Sequence, residues 1–313
     1  QSITGDNHQL FVEKKGIPLS GGIIIALMTP LVIDFKLEIY HLVFIIIFFI
    51  GLLSDTKILQ SAKNRFLFQI LAIFLFVVYY DLSLSNIRVF FIDYFLDYKI
   101  FSYFFVTFCL LIVVNGSNFI DGLNGLALGY YTIVIGILLN LNLYENFFNL
   151  NNIILNYLIL FLYLILFNYF NKLYLGDSGS YLIGLSVGIL LIVTYRNLDN
   201  ISPFFIVLLL WYPCYENLFS IIRKYKFNLS PLKADNKHFH QLLFNFIKKK
   251  SKLSNLFANN LSSIIINLYN FVILFIGSLN IYDSRLQITL IFLSIFIYIY
   301  FYFKLFNFRF NIK

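Results

Sequence analysis

Three acidic residues stand beside long apolar runs in a way that suits metal-assisted chemistry. Asp121 lies in NGSNFIDGLNGLALG, a stretch that also carries Asn118 and Asn124 and follows the apolar segment FFVTFCLLIVV. Asp177 lies in GDSGS and Asp55 in GLLSDTK, each again at the edge of an apolar run. Carboxylate and amide oxygens are the ligands that suit Mg²⁺. These positions therefore predict a magnesium site that the acids share.

Imidazole and basic side chains accompany these acids. His238 and His240 lie in SPLKADNKHFHQLLF, and such groups suit phosphate oxygens. Acids that hold Mg²⁺, flanked by basic groups, predict phosphoryl-group chemistry on a membrane lipid. A simpler alternative stays open for each residue. Asp121 and Asp177 could cap helices, Asp55 could be a solvated loop acid, and the histidines could face solvent.

The composition predicts the scaffold that positions these residues. The chain has 313 residues, is 60% hydrophobic and 12% charged, and has a mean hydropathy of +0.82. A soluble domain carries about twice that charge, so we expect an all-α, polytopic membrane protein with one domain over residues 1–313. Ten apolar runs approach the roughly 20 residues that a spanning helix needs. They are 19–33, 39–53, 66–83, 100–114, 123–141, 152–170, 179–196, 203–221, 260–280 and 287–306. Because the chain starts at Gln1 rather than at a methionine, an eleventh helix upstream stays an open alternative.

The eighth run contains two residues that are unusual inside a membrane, in WYPCYENLFSIIRK. Pro213 is expected to kink the helix. Glu216 is a charge near the inner end of the run, and a charge within the bilayer is functional by default. The equal alternative is that the span ends before Glu216.

The basic residues predict which ends of the spans face the cytoplasm. Five of the 23 Lys and Arg residues fall in one set of connections and the other 18 in the second set. Cytoplasmic loops carry the excess of Lys and Arg, so the second set is predicted to be cytoplasmic. It comprises about 1–18, 54–65, 115–122, 171–178, 222–259 and the C-terminal tail. All the acids and histidines named above then share the cytoplasmic face. The basic 222–259 segment also fits a surface that meets anionic lipid headgroups.

Four stretches together resemble the motifs of one enzyme family. The segment 115–129 is similar to Asn-x-x-Asn-x-x-Asp-Gly-Leu-Asp-Gly-Leu of the polyprenyl-phosphate N-acetylhexosamine-1-phosphate transferases (glycosyltransferase family 4). LYLGDSGSYLIG resembles the family's Gly-Asp-Ser-Gly segment, SPLKADNKHFHQLLF its histidine loop, and VEKKGIPLSGGI its N-terminal loop. The matches come in the family's order and on the predicted cytoplasmic side. The resemblance covers nearly the whole chain.

The resemblance implies a reaction and its partners. The family transfers N-acetylhexosamine 1-phosphate from a UDP-sugar, here expected to be UDP-GlcNAc, to undecaprenyl or another polyprenyl phosphate. UMP leaves, and assembly of a cell-envelope glycan begins. The expected cofactor is Mg²⁺, with Mn²⁺ as an alternative. The expected location is the bacterial inner membrane, where the protein is multi-pass, and a homodimer is compatible with the resemblance. No nucleic-acid partner is expected.

The resemblance also implies roles for individual residues. The catalytic residues would be Asp55, Asp121 and Asp177. Asp177, Asn118 and Asp121 would hold the metal, and Asp55 would help to activate the lipid phosphate. The substrate-binding residues would be Asn118, Asn124, Lys63, Asn168, Lys172, His238 and His240.

Three positions depart from the family pattern. Ser54 stands where the family has the first acid of an Asp-Asp pair, Asn124 replaces the second acid of the signature, and Gln241 stands where a third histidine is common. We interpret them as marks of a divergent subgroup. Two alternatives stay open. One is the phospho-N-acetylmuramoyl-pentapeptide transferase of peptidoglycan synthesis, although HFHQLLF matches its histidine loop poorly. The other is a membrane transporter with cytoplasmic acidic sites, although transport sites are expected near the bilayer midplane.

Overall fold

The computed structural model describes residues 16–32, 38–141, 148–198, 200–226, 228, 230 and 236–310. These residues are helical or connect helices, and no strand occurs among them. The helices are α1 (Gly21–Val32), α2 (Glu38–Asp55), α3 (Ala62–Tyr79), α4 (Phe90–Leu96), α5 (Lys99–Ile120), α6 (Leu126–Asn140), α7 (Phe148–Tyr169), α8 (Gly176–Asn197), α9 (Pro203–Leu209), α10 (Trp211–Lys226), α11 (Phe239–Lys250), α12 (Asn255–Ser278) and α13 (Ser284–Phe310).

Each of the ten predicted spans overlaps a helix, and the all-α membrane fold is confirmed. Within the described residues, six helices are long and apolar enough to cross a membrane, namely α3, α5, α7, α8, α12 and α13. The bent pair α9 and α10 would be a seventh, and α6 and most of α2 are shorter apolar helices. The count of ten spans therefore stays a prediction. The short helices α4 and α11 fall in segments that we expected to be connections.

Two helix ends differ from the prediction where the polar residues lie. The segment 115–122 was expected to be a loop, but α5 continues to Ile120. It does so because its polar side chains find partners, as when Asn115 donates to the carbonyl of Leu111 at 2.9 Å and to Gln69 at 3.0 Å. Similarly, α8 begins at Gly176 rather than at 179. The predicted loops 115–122 and 171–178 are thus mostly and partly helical.

The bend between α9 and α10 has an identifiable cause. The two helices meet at 73°, and Pro213 lies in the first turn of α10. Proline has no N–H, so it cannot donate to the carbonyl four residues earlier, at Leu209. The buried hydroxyl of Tyr130 donates to that carbonyl instead, at 2.9 Å. The bend agrees with the prediction that Pro213 kinks this run.

Helix α8 is the centre of the bundle and positions the site. Most of its side chains are buried, and it packs against α5, α2 and α1. Its second residue, Asp177, lies beside the end of α2 and the end of α5. At its other end, Arg196 donates to the carbonyl of Asp81. We call the end of the bundle that carries Asp55, Asp121 and Asp177 the site end.

Candidate active site at the start of helix α8

Asp177 is the second residue of α8, and side chains of three other helices converge on its carboxylate. Arg65 of α3 donates to Oδ2 at 2.7 Å, and Ser54 of α2 donates to the same oxygen at 2.6 Å. Asn118 of α5 donates to Oδ1 at 2.7 Å. The Asp177 side chain remains 27% exposed, so a ligand can reach it. Together with Asp55, these residues form what we call the carboxylate cluster.

Asp55, the last residue of α2, caps the start of α8 from across the bundle. Its Oδ1 accepts the N–H of Asp177 at 2.8 Å, and its Oδ2 accepts the N–H and the hydroxyl of Ser178 at 3.1 and 2.7 Å. The first N–H groups of a helix lack partners within it, and the helix dipole favours an anion there. A Cβ at Gly176, whose φ is +75°, would lie 2.8 Å from Asp55 Oδ2, so glycine permits this approach. Both oxygens of Asp55 are thus engaged by α8, which supports a positioning role.

Asp121 follows the last residue of α5, and its N–H bonds to the carbonyl of Asn118 at 3.3 Å. The residue that precedes α6 is Gly125, with φ +70°. Asp121 is therefore not the N-terminal cap of α6, and the capping alternative for it is wrong. A carboxylate at the C-terminal end of a helix meets the negative end of the dipole, which is unfavourable. Asp177 likewise makes no capping bond in its own helix, because its carboxylate is taken by other helices.

The surroundings of the site end disfavour the charged forms of two of its acids, Asp121 and Asp55. Burial, followed by the nearby charges of Asp177 and Asp55, raises the pKa of Asp121 well above its ordinary range. Burial and the charge of Asp177 also raise the pKa of Asp55 from 3.8 to about 6, although its hydrogen bonds to α8 act in the opposite direction. Arg65 offsets the charge of Asp177. A further cation near Asp121 would relieve the remaining repulsion.

The residues at the site end fit a hard divalent cation in part. Within the described segments, no group of three His, Cys, Asp or Glu side chains is placed to hold a metal ion. The expected set of Asp177, Asp121 and Asn118 offers two carboxylates and one amide. Mg²⁺ usually takes one or two carboxylates and fills its other positions with water and substrate phosphates. The donor chemistry and the raised pKa of Asp121 therefore fit such an ion when a phosphorylated substrate is present.

Four asparagines form a buried network that we call the amide cluster, Asn124, Asn168, Asn171 and Asn259. Asn124 donates from its side chain to Asn171 at 2.6 Å, and its N–H donates to Asn259 at 2.8 Å. Asn168 accepts the N–H of Gly125 and donates to the carbonyl of residue 173 at 2.9 Å. Asn124 and Asn168 are each 4% exposed. Because buried amides must find partners, these two residues, predicted to bind substrate, hold the turn before α6 and the end of α7.

The amide cluster nevertheless borders Asp121. Asp121, Asn124, Asn168 and Asn259 line one small cavity of about 10 Å³, which has space for a single water molecule. The network holds the backbone of Asn124 and Gly125, which follow Asp121 in the same turn. The amide cluster thus supports the structure next to the acids.

The two predicted histidines lie against the same turn. The ring of His238 is 5.3 Å from the ring of Phe119, and it stacks on the ring of His240 at 5.6 Å with a 10° angle. A Cβ at Gly122 would overlap His240 Nε2, so any other residue beside Asp121 would displace the ring of His240. Gln241 accepts the backbone N–H of His238 at 3.2 Å. Gln241, which stands where a third histidine is common in the family, thus helps to cap the start of α11.

Two predicted basic contacts lie outside the carboxylate cluster, and one basic residue was missed. Lys63 and Lys172 are exposed. Lys63 stands two residues before Arg65 in α3, and an α-helix turns by about 100° per residue, so the two side chains point in different directions. Arg65 faces α8 and pairs with Asp177. Helical spacing indicates that Lys63 and Arg65 cannot both face the bundle, so it could have suggested Arg65 as the alternative to Lys63. Ser54, the departure from the acid pair, fills a place in the cluster between Arg65 and Asp177.

Comparison with known proteins adds to this geometry. The model of glycosyl transferase family 4 matches residues 38–195, about half of the chain. The chain belongs to glycosyl transferase family 4. The family match includes all three acids of the site end and stops before the histidines. The resemblance read from the motifs is thereby confirmed at the level of the family.

Curated bacterial relatives carry closely related names. A probable undecaprenyl-phosphate N-acetylglucosaminyl 1-phosphate transferase of Bacillus subtilis is 29% identical over 204 residues, which cover 64% of this chain and 56% of the relative. The undecaprenyl-phosphate α-N-acetylglucosaminyl 1-phosphate transferase of Escherichia coli K12 is 29% identical over 241 residues, 72% of this chain and 65% of the relative. The chain thus spans less than two thirds of the length of these relatives. Its apolar helices and its family identify it as a multi-pass membrane protein.

Proposed function

We propose that this chain transfers N-acetylglucosamine 1-phosphate from UDP-N-acetylglucosamine to undecaprenyl phosphate in a bacterial inner membrane. UMP leaves, and the lipid-linked sugar begins a cell-envelope glycan. The names of the relatives support this N-acetylglucosaminyl transfer over the transfer of a muramoyl-pentapeptide. Family membership supports a transferase over a transporter.

The convergence of Arg65, Ser54 and Asn118 on Asp177 is the observation that carries the proposal. It lies at the ends of long apolar helices, where the phosphate of a membrane lipid also lies. A water-soluble nucleotide sugar and a lipid that cannot leave the bilayer can meet only at this level. A partly exposed acid, held by one cation and two polar side chains, suits the binding of two phosphorylated substrates and a metal.

The chemistry requires that two anions approach each other. A deprotonated oxygen of the lipid phosphate forms a bond to the sugar-bearing phosphorus of the UDP-sugar. The bond from that phosphorus to the bridging oxygen breaks, and UMP leaves with the electron pair. Preorganised positive groups lower this repulsion, and Arg65, His238 and His240 are the nearby candidates in this chain.

The acids have separate roles in this proposal. Asp177, Asp121 and Asn118 would hold Mg²⁺ or Mn²⁺, which when bound supplies positive charge to the pyrophosphate and to the leaving UMP. Asp55 fixes the backbone of Asp177 and Ser178 and so sets the direction of the Asp177 side chain. Asp55 is thus proposed to position the site.

We also propose that the site end faces the cytoplasm. Lys63 and Lys172 are exposed at this end, whereas Lys99 lies at the opposite end of the bundle. In a chain whose Cys109 and Cys214 are replaced by alanine, cysteines at positions 63 and 172 should react with an impermeant maleimide only from the cytoplasmic side. A cysteine at position 99 should react only from the outside. Labelling of position 63 or 172 from the outside would contradict the orientation.

The function is tested with the purified full chain in detergent. UDP-N-acetylglucosamine, undecaprenyl phosphate and Mg²⁺ are added, and release of UMP is measured together with the lipid-linked product. UDP-N-acetylmuramoyl-pentapeptide and UDP-glucose serve as competing donors, and a reaction without lipid serves as the blank. We expect lipid-dependent release with the N-acetylglucosamine donor. Release that is equal for all donors, or independent of lipid, would reject the proposed substrate pair.

A further inference from the structure

Glu216 of α10 is a buried carboxylate whose two oxygens are both hydrogen-bonded. It is 1% exposed. Oε1 lies 2.9 Å from His238 Nδ1 and accepts the N–H of Phe239 at 3.3 Å, and Oε2 accepts the hydroxyl of Tyr298 at 2.8 Å. A buried carboxylate is costly unless such partners surround it. Of the three partners, His238 alone is a group that can carry positive charge.

His238 connects this carboxylate to the turn that carries Asp121. One edge of its ring meets Glu216, and its face stacks on His240. His240 in turn lies against Gly122, and Phe119 packs beside His238. The contacts therefore run from a buried acid in α10, through two imidazoles, to the residue next to Asp121.

The surroundings of His238 suit an anionic ligand. Lys224 is buried and places its Nζ 5.8 Å from the centre of the Phe119 ring, on which His238 also packs. His240 is a further basic group beside it. Glu216 and the hydroxyl of Tyr298 are the acidic and polar groups on its far side. The imidazole and ammonium groups thus lie on the side that faces the turn with Asp121. The carboxylate of Glu216 lies on the opposite side of His238.

A purely structural role for Glu216 would be to tie α10, α11 and α13 together. The contacts to Phe239 and Tyr298 do that, and a neutral glutamine could serve them as well. What glutamine lacks is the negative charge beside His238. The charge matters because a carboxylate that accepts a hydrogen bond from the Nδ1–H of a histidine fixes the orientation of the ring.

We propose that Glu216 is a positioning residue for His238 in the phosphoryl transfer, an inference that rests on the proposed function. Glu216 accepts the Nδ1 proton and holds the ring between the acid and the turn. Nε2, at the opposite edge of the ring, is thereby directed toward the phosphates of the nucleotide sugar. Glu216 and His238 lie beyond the 38–195 match, so the second half of the chain supplies these two residues of the site.

Measurements of kcat distinguish a positioning role of Glu216 from a purely structural role. Glu216→Gln should lower kcat by about tenfold, whereas Tyr298→Phe, which removes a different bond to the same carboxylate, should stay within about threefold of the parent chain. His238→Gln should also lower kcat. If Glu216 acts through His238, the double variant should be no slower than His238→Gln within about twofold, because coupled residues are not additive. Losses that multiply in the double variant would overturn the proposal.

A second readout does not depend on turnover. With ¹⁵N-labelled histidine side chains, His238 is assigned by the signals that His238→Gln removes. The parent chain should show a strongly hydrogen-bonded Nδ1 proton on His238, and addition of UDP with Mg²⁺ should move the Nε2 signal. In Glu216→Gln the Nδ1 proton should move upfield and the response of Nε2 to UDP should weaken. Equal spectra in the two proteins would overturn the proposal. A parent chain that shows these signals but releases no UMP would instead reject the proposed function.

Discussion

The carboxylate cluster and the amide cluster lie side by side at the site end but satisfy their polar groups in different ways. In the amide cluster, neutral side chains bond to one another and to backbone groups, and Asn124 and Asn168 are almost fully buried. In the carboxylate cluster, Asp177 is partly exposed and pairs with Arg65. Beside this cluster, burial and the charges of Asp177 and Asp55 raise the pKa of Asp121. Both clusters come from Asn and Asp residues next to apolar runs.

The difference teaches where a ligand is needed. Amides carry a donor and an acceptor each, so a set of them can saturate itself without outside help. Carboxylates accept only, and several of them close together repel one another until a cation arrives. Perturbed acids in a partly open site are therefore the better candidates for function. The buried amides are the better candidates for stability.

The largest effect is expected at Asp177. Asp177→Asn keeps the shape but removes the charge that Arg65 and a metal would meet, so UMP release should fall by at least about 100-fold, or 2.7 kcal/mol of barrier. Folding and membrane insertion should be intact, as judged by gel filtration and thermal unfolding in detergent. Asp81→Asn, at the opposite end of the bundle, is the matched control and should keep its activity. Equal turnover in Asp177→Asn and the parent would remove Asp177 from the site.

The next-largest effect is a loss of stability without a loss of rate. Its absence would contradict the comparison between the two clusters. Asn168→Ala leaves the N–H of Gly125 and the carbonyl of Leu173 without their buried partner. An unsatisfied buried group costs about 1–3 kcal/mol, so the free energy of unfolding should fall by about 2 kcal/mol. The rate per folded molecule should stay within about threefold of the parent, because no interaction with the transition state is lost.

Asn64→Ala, on the exposed surface of α3, is the control for the asparagine series. It should change neither stability nor rate. A loss of rate in Asn168→Ala beyond its loss of folded protein would return Asn168 to the substrate contacts that the family resemblance implies. Residues of both clusters would then contact the substrate.

Hydrophobicity alone located most of the helices, because the ten apolar runs overlap every helix of the described residues except α4 and α11. It could not place their ends among polar residues. Asn115 and Asn118 look like loop residues, yet α5 includes them because Gln69, Asp177 and backbone carbonyls accept their amides. Such partners come from other helices, and no local pattern reveals them.

The family motifs identified the acids but did not predict how each acid is held. Asp55 was expected near the lipid phosphate, and the structure engages its carboxylate with the start of α8. That bond joins residues more than 120 positions apart, so it depends on how α2 and α8 pack. Arg65 and Glu216 were visible in the sequence as charges beside or within apolar runs. Only the packing of α3 and α10 shows which acid or histidine each of them meets.

A smaller effect should test whether the charge of Asp121 takes part in the reaction. Asp121→Asn should slow turnover by at least about tenfold, or 1.4 kcal/mol, and higher Mg²⁺ should restore part of it. The same variant should unfold at a higher temperature than the parent, because it removes a half-buried charge that Asp55, Asp177 and the end of α5 all disfavour. The rate should therefore fall while the melting temperature rises. A variant with unchanged rate and unchanged Mg²⁺ dependence would show that this charge has no part in the reaction.

The smallest effect is a pH dependence of stability that isolates Asp55. The pKa of Asp55 is raised from 3.8 to about 6 in the fold, so between these values the folded chain binds more protons than the unfolded chain. Its contribution to stability is therefore fully present below pH 3.8 and is lost as the pH rises through 6. In a chelated, metal-free sample, the free energy of unfolding of the parent should rise relative to that of Asp55→Asn between pH 7 and pH 4. Because Asp55 is partly exposed, we expect a change on the order of 1 kcal/mol.

Asp81 provides a control of opposite sign. The hydroxyl of Tyr103 and the ammonium of Lys99 lower the pKa of Asp81, so its contribution is present at neutral pH and is lost on acidification. Relative to Asp81→Asn, the parent should therefore become less stable as the pH falls below about 4, through the lowered pKa of Asp81. If the parent and Asp55→Asn show the same pH dependence, the start of α8 compensates the Asp55 charge completely. The carboxylate cluster would then resemble the amide cluster at this residue, with its polar groups satisfied by the protein alone, and the excess charge would rest on Asp121.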